Sequence, residues 1–292
     1  MDRFRKTLLS AVLVLAFMMQ SCAFVSMDLG SFMKFPSFEE KEITAGTKDK
    51  ILVVEILGAV TTTAMRDLFP KQGTVERLDS VLEIAKKDRN IKGIILKIDS
   101  PGGGITASDL VYKEIMNFKT EQQLPVVACI TGMGTSGGYM AALSADRIVA
   151  VPSSMVGNVG VLLPSISLEG LMDKLGIRNQ TLTSGKLKDS GSPLRDMTSE
   201  DKAVLEGIVK EFQQDFLAKV KMHRPVTPED LAVIQDGRVM TASTGLKYHL
   251  IDQIGYYEDA LKTAKFLARL ENPTVVVYRR KGENYGGFYS WP

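Results

Sequence analysis

The sequence predicts an α/β domain with largely buried strands, and three observations carry that prediction. Short apolar runs rich in β-branched residues recur at 51–60, 91–98 and 126–130. Between them lie segments of helical period: Leu78, Val81, Leu82 and Ala85 within 74–88, then Ala107, Leu110, Val111, Ile115 and Phe118. Glycine-rich turns stand where strands end, at Gly102-Gly103-Gly104 and from Gly132 to Gly138. A strand that is apolar at every position needs cover on both faces, and helices between successive strands supply it.

The totals narrow the field. A chain of 292 residues suits one large domain or two small ones, and its 45% hydrophobic and 24% charged residues are ordinary for a globular protein. Net charge is +2, from 36 basic and 34 acidic residues, with no basic stripe interleaved with aromatics, so nucleic acid is not an expected partner. Cys22 and Cys129 cannot build a disulfide framework, and no His/Cys cluster has the spacing of a metal site.

At the N-terminus Arg3, Arg5 and Lys6 precede an uncharged run over 7–27, which Asp28 ends. Its most apolar part, 8–19, has the length of a signal-peptide core, and the whole run is long enough to span a bilayer. Basic flanks stay in the cytoplasm, so the chain beyond the run is expected outside. Met19-Gln20-Ser21-Cys22 resembles a lipoprotein cleavage box, with Met and Gln as departures. A cleaved, acylated Cys22 and a retained anchor both remain open. Either places the body in the cell envelope, at the outer face of the cytoplasmic membrane. Residues 28–49 show no sustained period and read as a linker, with a solvated cluster Glu39-Glu40-Lys41-Glu42.

Further along, 147–151 and 156–163 read as short strands, 199–222 and 257–270 as helices, and 274–278 as a last strand. The apolar stripe of the first helix (Val204, Ile208, Val209, Phe212 and Phe216) reads as core or subunit packing. Residues 281–292 hold Tyr285, Phe288, Tyr289 and Trp291 among glycines, and read either as a frayed tail or as a docking segment.

Two turns bear on chemistry. Gly132-Met133-Gly134-Thr135-Ser136-Gly137-Gly138 joins a strand to a helix start, where a serine hydroxyl projects beside unpartnered backbone N–H groups. Those are the parts of a nucleophile with half an oxyanion hole; a plain turn whose Ser136 caps the helix is the alternative. Gly102-Gly103-Gly104 could cradle a phosphate, but Ile105-Thr106 follows where a Walker loop needs Lys-Ser/Thr, and no dinucleotide fingerprint is present. No cofactor is expected. The turn could equally present an N–H to a developing oxyanion.

A serine needs a base. His223 ends a helix and His249 lies in a packing segment, so neither sits in a triad setting. Lysine is the alternative if burial lowers its pKa from about 10.4. The irregular stretch Ser184-Gly185-Lys186-Leu187-Lys188-Asp189-Ser190-Gly191 offers two. In an extended backbone Lys186 and Lys188 share one face and Asp189 points away.

Several stretches together resemble the bacterial signal peptide peptidases of the protease IV type, Ser-Lys peptidases of the Clp protease/crotonase superfamily. They are Asp99-Ser100-Pro101-Gly102-Gly103-Gly104, Ser136-Gly137-Gly138-Tyr139 with Ala145-Asp146-Arg147, and Ser184-Gly185-Lys186-Leu187-Lys188-Asp189 with Pro193 and Arg195. Asp236-Gly237-Arg238 to Gly245 extends the likeness, which covers 50–280 and holds each motif once, like the family's short form. The resemblance implies a repeated ββα spiral, a single catalytic domain behind the N-terminal signal or anchor. It implies Ser136 as nucleophile, Lys188 as general base, and an oxyanion hole from Gly137 and from Gly102 or Gly103. It implies hydrophobic peptides, cleaved signal peptides among them, as substrates, and a homo-oligomeric ring whose sites lie between protomers. Where the family has serine to position the lysine, this chain has Asn158, whose amide oxygen can accept from an ammonium. A crotonase-like acyl-CoA enzyme and a catalytically silent membrane scaffold are the rival readings.

Overall fold

Apolar runs without a polar face settle where both sides are covered, and the computed structural model, which describes residues 36–62, 72–283 and 287–289, sets three of them side by side. Strands β2 (Thr47–Val60), β3 (Ile91–Gly103) and β4 (Val126–Thr135) pair in parallel, with Val53 opposite Ile95 and Leu96 opposite Ala128. β5 (Arg147–Ala150) and then β8 (Gln253–Ile254) extend the sheet beyond β4. On the other side β9 (Pro273–Arg280) pairs with β2, and β1 (Phe38–Thr44) closes the edge antiparallel to it. β6 (Met155–Gly157) branches from the end of β4 and pairs antiparallel with β7 (Val239–Thr241).

Parallel neighbours need long crossovers, and helices provide them. α1 (Thr74–Ala85) links β2 to β3, α2 (Ile105–Gln122) links β3 to β4, and the short α3 (Gly137–Ala142) follows β4. Later come α4 (Glu169–Lys174), α5 (Ser199–His223), α6 (Pro228–Ile234), α7 (Ala242–Lys247) and α8 (Tyr257–Ala268). Strand alternation divides the core. Leu52, Val54, Ile94 and Ile98 face α1, α2 and Phe216 of α5, while Ile51, Val53, Ile95 and Val127 face Ala260 and Ala264 of α8. Burying each such large side chain contributes roughly 1.5–3 kcal/mol, which is why the sheet is the rigid part of the molecule.

Three expectations change. Part of the stretch read as linker, residues 38–44, is β1: Phe-Glu-Glu-Lys-Glu-Ile-Thr is charged because it is an edge strand, where charge deters pairing with other chains. The strand expected over 156–163 stops at Gly157, because Gly157 (φ 83°) and Asn158 (φ 52°) turn the chain out of the sheet. The described part of the C-terminal segment docks: Phe288 is buried, stacks on Tyr257 with ring centroids 4.0 Å apart, and lies 5.6 Å from Lys97 Nζ. The uncharged run over 7–27, with Cys22, lies outside the described residues. Among the described residues no helix is long and apolar enough to cross a membrane.

Candidate active site

β4 ends at Thr135 and α3 begins at Gly137, so Ser136 alone turns the chain. It does so at φ 51°, ψ −123°, a conformation that costs a non-glycine residue about 1–3 kcal/mol. Its N–H donates to Gly157 O at 2.9 Å, fixing the turn to β6. No side-chain cap bond runs from Ser136 to α3, so the reading as a plain helix cap falls away. Ser136 is half-buried, whereas every residue of α3 is buried. Beside Oγ stands the N–H of Gly137, one of the first donors of α3 and without a partner inside the helix.

The turn after β3 closes against this serine. Gly102 has φ 97°, and a Cβ there would lie 2.7 Å from both Gly137 N and Ser136 Cβ, so only glycine permits the approach. The Gly102 N–H is already engaged, donating to Ser100 Oγ at 3.1 Å. Gly103 differs. It pairs with Val60 in the parallel ladder, in which Gly104 N donates to Val60 O at 3.0 Å. Successive N–H groups of a strand point to opposite sides, so that of Gly103 points away from β2. Gly103 also lines the cleft that contains Ser136.

That cleft, about 40 Å³, is walled by Ile105, Met140, Val161, Phe212 and Phe216, with Ser108 on its floor. The phenylalanines come from α5 at i, i+4 spacing. Read in sequence as packing only, they also form the cleft wall; nothing in a helical apolar stripe distinguishes the two uses. Asp109 and Asp215 stand at the rim, both bridged by Lys219 Nζ, at 3.2 Å from Asp109.

The lysines lie elsewhere. Residues 184–192 form successive turns, not an extended stretch, with Lys188 N donating to Gly185 O at 3.1 Å and Ser192 N to Asp189 O at 2.9 Å. Lys186 is exposed and paired with Glu200. Lys188 is exposed, does not line the cleft, and makes no hydrogen bond to Ser136 among the described residues. Within one chain the serine and this lysine are not brought together. Asp189 turns to Arg195, accepting from its Nη2 at 2.7 Å and its Nε at 2.9 Å, and this pairing holds its carboxyl below the usual carboxylate range. Asn158 donates from Nδ2 to Gly237 O at 2.6 Å, which leaves Oδ1 as its free acceptor group.

Neither histidine lines the cleft. His223 Nε2 meets Tyr112 Oη at 2.6 Å, and burial, then the Lys119 and Arg224 charges, hold its pKa below the ordinary value. His249 Nδ1 lies 3.0 Å from Asp230 Oδ2.

Two family profiles match this chain: Peptidase family S49 over residues 118–271, more than half of it, and Clp protease over residues 71–162. The chain belongs to peptidase family S49. It is 37% identical over 222 residues to a Methanocaldococcus jannaschii protein named as a protease, spanning 76% of this chain and 70% of that one. It is 30% identical over 254 residues to an Enterococcus faecium protein named as signal peptide peptidase SppA, spanning 87% and 73%. With Protease 4 of Salmonella typhi the identity is 29% over 192 residues, spanning 66% of this chain and 31% of that one. As an S49 member the protein is a serine-type peptidase with a Clp protease-like domain. Membership sets aside the acyl-CoA enzyme and the silent scaffold.

Proposed function

We propose that this S49 peptidase is a Ser-Lys endopeptidase, tethered to the membrane, that hydrolyses cleaved signal peptides and other hydrophobic peptides. One observation carries the reading: Ser136 is held at φ 51° with Oγ unused by the helix, between glycine N–H groups and an apolar cleft. Ser136 Oγ attacks a peptide carbonyl while the Lys188 amine takes its proton. The N–H groups of Gly137 and Gly103 hold the oxyanion. The resulting ammonium then protonates the leaving amine, and water hydrolyses the acyl-enzyme to free acid and serine. Asn158, through Oδ1, helps orient the amine.

Lys188 comes from a neighbouring copy. An exposed lysine some way from the cleft in its own chain supports this, as do the uncovered apolar side chains of the segment leading to it: Leu162, Ile166, Leu175 and Leu182 are 78%, 72%, 65% and 97% exposed. A closed ring buries them and completes every site at once. The domain over 50–280, extended at its front by β1, then sits outside the cytoplasmic membrane, held through 1–27 or through an acylated Cys22. The name of the Enterococcus faecium relative supports the substrate class.

The test uses the purified protein on apolar peptides, with Ser136→Ala, Lys188→Ala and an equimolar mixture of the two. Each variant alone is expected to be inactive. The mixture is expected to recover activity, because some sites combine an intact serine with an intact lysine. Full activity in Lys188→Ala ends the dyad. A mixture that assembles without recovering activity shows that both residues of a site belong to one chain. Cleavage confined to charged peptides overturns the substrate class.

A further inference from the structure

Asp189 follows Lys188 directly in sequence, and a carboxylate beside an amine favours the charged, proton-laden form that cannot act as a base. In the structure both Asp189 oxygens are taken by Arg195, through Nε and Nη2. The same guanidinium reaches Asp201, from Nη1 to Oδ2 at 2.6 Å and from Nη2 to Oδ1 at 3.2 Å. Asp201 is fully buried and also accepts from Thr198 N at 2.9 Å, Thr198 Oγ1 at 2.8 Å and Ser190 Oγ. Thr198 caps α5, so these bonds fasten the lysine turn to the start of that helix.

We infer that Arg195 is a positioning residue for Lys188: its fork withdraws Asp189 from the amine and pins the turn to α5. The inference rests on the Ser-Lys reading above. A planar guanidinium can bind two carboxylates at once in fixed geometry, which a lysine ammonium cannot reproduce. Arg195 and then Ser190 hold the Asp201 carboxyl far below the usual carboxylate range, so the fork stays ionised across the working pH. The other charges at this turn are already matched or turned aside. Lys186 pairs with Glu200, Asp196 Oδ1 accepts from Ser167 Oγ, and Glu169 accepts from Asp196 N. Asp189 is therefore the one carboxylate that loss of Arg195 would release toward Lys188.

The experiment is the pH dependence of kcat/KM on an apolar peptide for the assembled wild type, Arg195→Gln, Arg195→Lys and the double variant Arg195→Gln/Asp189→Asn. Arg195→Gln is expected to move the acidic limb up by about 1–2 pH units, the effect of one close opposite charge. The double variant is expected to bring the limb back, since no carboxylate is left to release. Arg195→Lys, which keeps the charge without the fork, is expected to fall between, and it carries the test if Arg195→Gln does not fold. A loss of activity with the limb unmoved, or a limb that Asp189→Asn does not bring back, overturns the inference and leaves Arg195 a structural tether. Lys188→Ala separates the two levels. If it is active, the dyad itself fails; if it is inactive while the Arg195 variants keep the wild-type limb, only the role of Arg195 fails.

Discussion

From residue 126 to residue 144 no side chain is exposed, and from 162 to 188 none is buried. The first stretch holds Ser136 at the end of a buried strand, between a glycine turn and a helix that is buried along its whole length. The second carries Lys188 on turns, behind a helix, α4, without a single buried residue. The difference shows how the work is divided. The nucleophile and the oxyanion donors must be rigid before substrate arrives, so one chain builds them from its own core. The arm gains its burial only on contact, so its order depends on what covers it.

The largest effect is expected where the rigid half is disturbed. A Cβ on Gly137 would lie 2.0 Å from Ser108 Oγ and 2.8 Å from Ser108 Cβ, so Gly137→Ala must shift the backbone that carries an oxyanion donor. Steady-state kinetics should show kcat/KM lower by ~10²–10³. A rate within a few-fold of wild type would break the claim that this turn is preorganised. The arm sharpens the contrast from the other side. Ile166→Asp with Leu182→Asp should leave the melting temperature of the dilute single chain unchanged, since both sites are exposed. The same pair should abolish assembly in sedimentation and peptide hydrolysis along with it. An assembled, active double variant would remove the arm from the contact.

The smallest effect concerns the joint between α2 and α5. His223 is held neutral by burial against Tyr112, while the unfolded ring takes up a proton near its ordinary pKa of about 6.5. Its contribution to stability is therefore full above that value and lost as pH falls below it. Urea unfolding at pH 8 and pH 5 should show this loss, at a slope of at most about 1.4 kcal/mol per pH unit. His223→Gln should flatten the slope; an unchanged slope would mean that the ring titrates alike folded and unfolded.

The legible parts of the sequence were those with a single physical use. Apolar β-branched runs can only be covered strands, so β2, β3 and β4 could be read directly, and a serine among glycines after such a strand marked Ser136. β1 could not be read because its alternation is written in Glu and Lys, as in a solvated linker. Lys188 emerged only through resemblance, since nothing local separates it from a surface lysine. The extended reading of 184–192 failed because glycine and serine there close turns. Phe212 and Phe216 were hidden by serving core and cleft alike. The Arg195 fork was invisible because its value lies in two partners that only folding brings together.

Phe288, close to the last residue, covers an ammonium enclosed by the sheet. Lys97 is 2% exposed, bonded to Glu55 at 3.3 Å, with that aromatic ring over it, and Tyr289 Oη accepts from Tyr257 N at 2.8 Å. Trimming the chain before Phe288 would unroof this charge and admit solvent to the back of the strands that aim Ser136. A handle for purification fused at this end meets the same lid, so the far side of the sheet limits how freely the carboxyl terminus can be engineered.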